Sequence, residues 1–162
     1  MVEPIFIAIR GNSGIGKTNL AKKLQEYFTC EQCLLLQEDI LRREILHVKE
    51  RPDSPTRELR NFMVNLGLQN YQVTILEGIL PKQIYGGMLK EFYQRIGKNA
   101  YFYCLDVPFE QTVQNNRQKD NPFAQTTLKK WWLENDFLTG IECKITSTSL
   151  KQCVKEVVTN IK

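Results

Sequence analysis

Short runs of apolar residues alternate along the chain with longer stretches in which apolar positions recur every three or four residues. Ile5 to Arg10, Leu34 to Gln37, Val73 to Glu77, Ala100 to Asp106 and Lys144 to Ser147 read as strands. Several are nearly continuous in apolar residues, as strands covered on both faces are. Helical spacing predicts helices over about 18–28, 39–50, 56–69, 84–96, 108–119, 127–137 and 149–161. Boundary signals support several of them: Thr56 lies between Pro55 and Glu58, Gly97 follows the fourth helix, and Pro108 sits just inside the fifth. Strands alternating with helices require right-handed crossovers and one parallel sheet, an α/β architecture. No repeat, low-complexity tract or linker interrupts the pattern, so 1–162 reads as one domain. Only "RPDSP" at 51–55 and "KDNPFAQ" at 119–125 look like loose segments.

Composition narrows the classes. With 162 residues, 42% of them hydrophobic and 25% charged, the chain is long enough to bury a core without disulfide or metal staples. A formal charge of +4 is too small to announce a nucleic-acid binder, although it suits an anionic ligand. The five cysteines include one close pair, Cys30 and Cys33, with no second pair and no nearby histidine, so they read as reduced thiols rather than a zinc site. No apolar run approaches the roughly 18 residues of a membrane span, and the N-terminus lacks a basic targeting segment. The expectation is a cytoplasmic protein.

The chemistry concentrates where the first strand meets the first helix. "GNSGIGKT", comprising Gly11, Asn12, Ser13, Gly14, Ile15, Gly16, Lys17 and Thr18, fits G-x-x-x-x-G-K-[ST] between a buried strand and a helix. A phosphate chain held there must come within hydrogen-bond distance of successive main-chain amides, and the glycines permit that approach. The helix start adds unpaired amides and a positive dipole end. Lys17 then reaches the β- and γ-phosphates of ATP, while the Thr18 hydroxyl is a Mg²⁺ ligand. The competing reading is a glycine turn followed by a capped helix.

In an open parallel sheet ligands gather beyond the carboxyl ends of the strands. After the second strand "QEDILRRE" places Asp39 and Arg42 three apart on one face. Asp39 is a candidate base for an attacking hydroxyl and Arg42 a partner for it or for a substrate anion. A helix cap and a solvated arginine are the alternative. After the third strand Glu77 is a candidate for holding Mg²⁺ through its water shell, against a surface or core-paired glutamate. "PKQIYGGM" puts Lys82 and Tyr85 on the acceptor side, as substrate contacts or as a helix-entry loop. Trp131 and Trp132 read as packing for a lid hinge before a stacking platform, and His47 lies in a basic stretch.

These motifs, with "LDVPFEQTVQNNR" at 105–117, resemble the P-loop kinases over nearly the whole chain. The nearest likeness is to the branch of polynucleotide 5′-hydroxyl kinases, gluconate kinases, chloramphenicol phosphotransferases and zeta toxins. The resemblance implies a sheet of order 2-3-1-4-5 flanked by helices and a lid at about 117–130. It also implies Asp39 as general base, Arg42 as a substrate contact, Arg117 or Lys119 as lid cations, and an adenine contact from Ser147 to Ser149. The activity expected is transfer of the γ-phosphate of Mg-ATP to a hydroxyl of a small molecule, with catalytic Lys17, Asp39 and Arg117 and substrate contacts including Glu77 and Tyr85. Two other readings stand beside it. A nucleic-acid 5′-hydroxyl kinase would use Arg42, Arg43, Lys49, Arg51, Arg57 and Arg60 as a phosphate-tracking set. A non-catalytic nucleotide switch is opposed by the lack of a guanine-reading N-K-x-D and by Asp39 itself.

Overall fold

The computed structural model describes residues 2–161. Five parallel strands, β1 (Ile5–Arg10), β2 (Cys33–Gln37), β3 (Val73–Glu77), β4 (Ala100–Leu105) and β5 (Glu142–Ile145), form one sheet in the order β2-β3-β1-β4-β5. The expected strand order is therefore observed. Its helices are α1 (Lys17–Tyr27), α2 (Thr56–Asn70), α3 (Lys82–Ile96), α4 (Phe109–Arg117), α5 (Gln125–Trp131) and α6 (Leu150–Ile161).

Alternation along the strands feeds two cores. On β1, Ile7 and Ile9 face a cluster containing Leu20, Leu24 and Val157, whereas Phe6 and Ala8 face one containing Val64, Leu76 and Leu89. Both faces are covered, which is why β1 reads as an unbroken apolar run. The same parity decides where the polar residues at the strand ends go. Glu77 shares a face with Val73 and Ile75, the α1 side of the sheet. Arg10 shares a face with Phe6 and Ala8. The carboxyl ends are level, with Glu77 paired to Ile9 on one side and to Gln37 on the other.

Four segments depart from the expected boundaries. The helix expected over 39–50 is a single wide π-type turn, Ile40–Ile45, and the backbone then reverses at His47 with φ 53°. Only Leu41 of that turn is buried, so no apolar stripe holds a longer helix against the core. The helix expected over 127–137 stops at Trp131, because the following residues are claimed by hydrogen bonds to Asn12 and Arg10. β5 begins at Glu142 rather than Lys144, where the Glu142 carboxylate meets Arg10. α3 starts two residues early, at Lys82, whose amide donates to Asp136.

Candidate functional site

Gly11 to Thr18 wraps the carboxyl end of β1. Gly14 and Gly16 have φ of 77° and 105°, left-handed values that favour glycine, and Gly16 is the residue from which α1 departs. A Cβ at Gly11 would lie 3.0 Å from the Leu105 carbonyl oxygen, so the loop is pressed against the end of β4. The first helical bond runs from Leu20 N to Gly16 O, which leaves the amides of the first turn without helical partners, facing the mouth of the loop. No side chain caps this helix. The arrangement fits an oligophosphate.

Lys17 is 7% exposed, and its ammonium donates to the Asn12 carbonyl at 2.8 Å. Burial lowers its pKa to about 8, against the opposing pull of Glu77 and Asp39, while Lys119 pushes in the same direction as burial. Thr18 Oγ1 donates to Glu77 Oε1 at 2.9 Å, and Gln37 Nε2 donates to the same oxygen at 3.1 Å. A hydroxyl and a carboxylate this close form a hard-oxygen donor set of the kind Mg²⁺ takes, so Thr18 and Glu77 fit that ion.

Two cavities open from this point. One, about 570 Å³, runs between α1, α4 and the loop after β5, past Gln111, Asn115, Ser147, Thr148 and Cys153. The other, about 530 Å³, lies over the ends of β2 and β3, past Asp39, Arg42, Glu77 and Pro81, under Phe123, Lys130 and Trp131 of the α4–α5 region. Both are lined by Gly14, Lys17, Thr18 and Lys119, so the two spaces meet where the loop, the lysine and the hydroxyl converge. The structure thus brings Gly14, Lys17, Thr18, Asp39, Arg42 and Glu77 around one junction.

Asp39 has a side chain 62% exposed, held by Arg42 Nη2 at 3.1 Å and more loosely by Arg43 Nε at 3.7 Å. Its side chain makes no helix cap, which removes the capping alternative. Arg42 is 11% exposed, and its buried Nε has no hydrogen-bond partner among the described residues.

Other expectations are displaced. Arg117 is exposed at the end of α4 and lines neither cavity, whereas Lys119, two residues on, lines both. Asn116 is buried and clamps Phe123 through both its amide nitrogen, at 2.7 Å to the carbonyl, and its amide oxygen, at 3.0 Å from the N–H. Within the turn that this clamp closes, Lys119, and not Arg117, lines both cavities. Tyr85 does not line the cavity over the ends of β2 and β3. It is 6% exposed, and its hydroxyl donates to Glu38 at 3.3 Å. Burial, then the carboxylates of Glu38 and Glu50, raise its pKa and keep it a donor. The basic set that a nucleic-acid groove would need is broken up, because Arg60 is 1% exposed and paired to Glu38, while Arg42 is turned to Asp39. Trp132 packs edge-on against Phe109 and Trp131 against Phe123, at 5.2 and 5.0 Å between ring centres.

Three polar groups have partners that the sequence pattern does not report. Asn12 exchanges two hydrogen bonds with the Leu133 main chain, 2.8 and 3.1 Å, tying the loop to the segment after α5. Arg10 gathers the Leu80 carbonyl, Asp136 and both oxygens of Glu142. Glu38 takes Arg60 on both carboxylate oxygens. Strand parity was the available signal for Arg10, since a charge at the end of a run covered on both faces must find a buried partner.

No protein-family model and no curated relative matches the sequence. Solved structures do match in fold. A gluconokinase from Sinorhizobium meliloti 1021 superposes with a TM-score of 0.69 at 15% identity, over 99% of this chain and 93% of that one. The Mycobacterium tuberculosis APS kinase CysC, in complex with AMPPNP and APS, does so with a TM-score of 0.69 at 14% identity, over 99% of both chains. A tunicamycin resistance protein from Deinococcus radiodurans gives 0.64 at 14% identity, over 98% and 95%. With a sheet of order 2-3-1-4-5 and a G-x-x-x-x-G-K-T loop at the end of its first strand, this chain has the fold of the P-loop kinases.

Proposed function

We propose that the protein is an ATP-dependent kinase that moves the γ-phosphate of Mg-ATP to a hydroxyl of a small molecule. The observation that carries this reading is the pair of cavities meeting at Lys17, Thr18 and Lys119, with Asp39 on the acceptor side alone. A hydrolase or switch needs only the first cavity. Fold likeness to a gluconokinase, and to an APS kinase in complex with AMPPNP, supports it further. The absence of N-K-x-D favours ATP over GTP, and the cavity past Ser147, Thr148 and Gln111 is where its nucleoside belongs.

In this reading the loop amides and Lys17 hold the β- and γ-phosphates. Thr18 and Glu77 hold Mg²⁺, which neutralises charge on the phosphate oxygens when bound. Asp39 accepts the proton of the acceptor hydroxyl as its oxygen forms a bond to the γ-phosphorus. The bond from that phosphorus to the β–γ bridging oxygen breaks, and ADP leaves with the electron pair. Lys119 and Lys17 place positive charge around the transferring group, Arg117 serving at longer range as the lid moves. The segment 117–130, carrying Phe123 and Lys130 over the acceptor cavity, excludes water. One domain in the cytoplasm would carry both sites. A screen of hydroxylated molecules with γ-labelled ATP and Mg²⁺ tests the proposal: label should appear in an acceptor and vanish with Lys17→Ala. Mg-ATP binding without any transfer across a broad panel would sink it.

A further inference from the structure

The residue immediately before Asp39 is a buried charge that the phosphoryl-transfer scheme does not use. Glu38 is 2% exposed, and each of its carboxylate oxygens receives an Arg60 nitrogen at 2.7 Å. Arg60, itself 1% exposed, lies 4.8 Å from the centre of the Tyr85 ring. The Tyr85 hydroxyl closes on the same Glu38 carboxylate at 3.3 Å. Gly78 lets the chain after β3 pass close by, since a Cβ there would come within 2.8 Å of Glu38 Cβ. Glu38 is therefore held by α2 and α3 at once.

Fold stability does not call for this pair. Removing two charges from water costs several kcal/mol per ion, and apolar residues of like volume commonly serve stability as well or better. What two parallel bonds do supply is direction, because they fix the side chain and with it the peptide that leads into Asp39. Asp39 has little else to fix it. Its carboxylate is 62% exposed, so its pairs with the largely buried Arg42 and the exposed Arg43 are screened by solvent, and the turn that follows buries only Leu41.

We infer that Glu38 and Arg60 form a positioning pair that holds Asp39 toward the junction of the two cavities. This rests on the kinase reading, in which Asp39 faces the acceptor hydroxyl. The pair acts through Asp39: Glu38 borders the second cavity, but both its carboxylate oxygens are taken by Arg60.

The test uses the full chain, γ-labelled Mg-ATP and water as the acceptor, with Glu38→Met/Arg60→Met, Asp39→Asn and the triple combination. The double variant should melt within a few degrees of the unaltered protein and bind Mg-ATP equally well, yet release labelled phosphate at least tenfold more slowly. The triple variant should be no slower than Asp39→Asn alone, the non-additivity expected of groups acting as one unit. Hydrogen exchange gives a second reading that needs no turnover. The amides of Leu46 and Val48, which donate to Leu41 O and Arg42 O at 3.1 and 3.0 Å, should exchange at least tenfold faster in the double variant. If the double variant does not fold, Arg60→Lys keeps the charge and loses the bidentate grip, and should show the same slowing. Unchanged exchange, or losses that multiply in the triple variant, overturns the inference alone. Failure of the unaltered protein to take up Mg-ATP overturns the kinase reading and the inference with it.

Discussion

Replacing Lys17 with methionine should make the protein harder to melt while stripping it of nucleotide. Lys17 is 7% exposed, and burial brings its pKa down to about 8. Against an ordinary lysine near 10.4, that drop corresponds to about 3 kcal/mol by which folding disfavours the charged side chain. Methionine fills similar volume without charge, but it abandons the 2.8 Å bond to the Asn12 carbonyl, worth about 1 kcal/mol. A net gain of about 2 kcal/mol should raise Tm by roughly 4–8 °C at pH 7 in a chain of this size. The sign of the pH dependence is fixed too. Between about pH 8 and the ordinary lysine range the unfolded chain holds a proton on Lys17 that the folded one does not, so this group's contribution to stability rises with pH. The advantage of Lys17→Met should therefore be largest below pH 8 and shrink towards pH 10. Paired thermal melts from pH 6 to 10, with Mg-ATP titrations at each pH, read both effects. A lower Tm for Lys17→Met at pH 7, or a gap that does not narrow with pH, would refute the claim that the ammonium is held at a cost for the sake of phosphate.

Three further outcomes follow from the geometry. Asp39→Asn should cut transfer by about 10²–10⁴-fold in single-turnover kinetics while calorimetry shows Mg-ATP affinity unchanged, since Asp39 lines only the acceptor side. Lys119→Ala should reduce turnover far more than Arg117→Ala, by about 10³-fold if it acts as a transition-state cation, because Lys119 lines both cavities and Arg117 neither; equal losses would return the lid role to Arg117. Arg10→Met should destabilise the fold by about 3–5 kcal/mol in urea, because it leaves the Glu142 carboxylate buried and unpaired, and adding Glu142→Gln should recover part of the loss.

Much of the site was readable along the chain because its information is local. Gly11 to Thr18 names its own turn, its helix start and its lysine within eight residues. Asp39 and Glu77 could be placed near each other because strand ends can be located from apolar runs, and in a parallel sheet those ends share one edge. What could not be read was anything set by which side chains the packed chain brings together. Lys119 rather than Arg117 lines the cavities, within a turn where a buried Asn116 clamps Phe123, and no spacing rule reports that clamp. Tyr85 stays out of the cavity over β2 and β3; its hydroxyl meets Glu38 and its ring meets Arg60 of α2. The turn after Asp39 defeated its helical spacing because only Leu41 found a core to enter.

By itself the sequence settled where the five strands and most of the helices lie, the single parallel sheet they build and the glycine-rich turn between β1 and α1, since periodicity and backbone freedom are properties of neighbouring residues. Tertiary structure alone decided which charges are used and which are buried as partners. Arg10 with Glu142, Arg60 with Glu38 and Asn12 with Leu133 are matched over separations of 132, 22 and 121 residues. A buried charge or amide must be satisfied by whatever the folded chain brings within about 3 Å, and that neighbour exists only once the layers have packed.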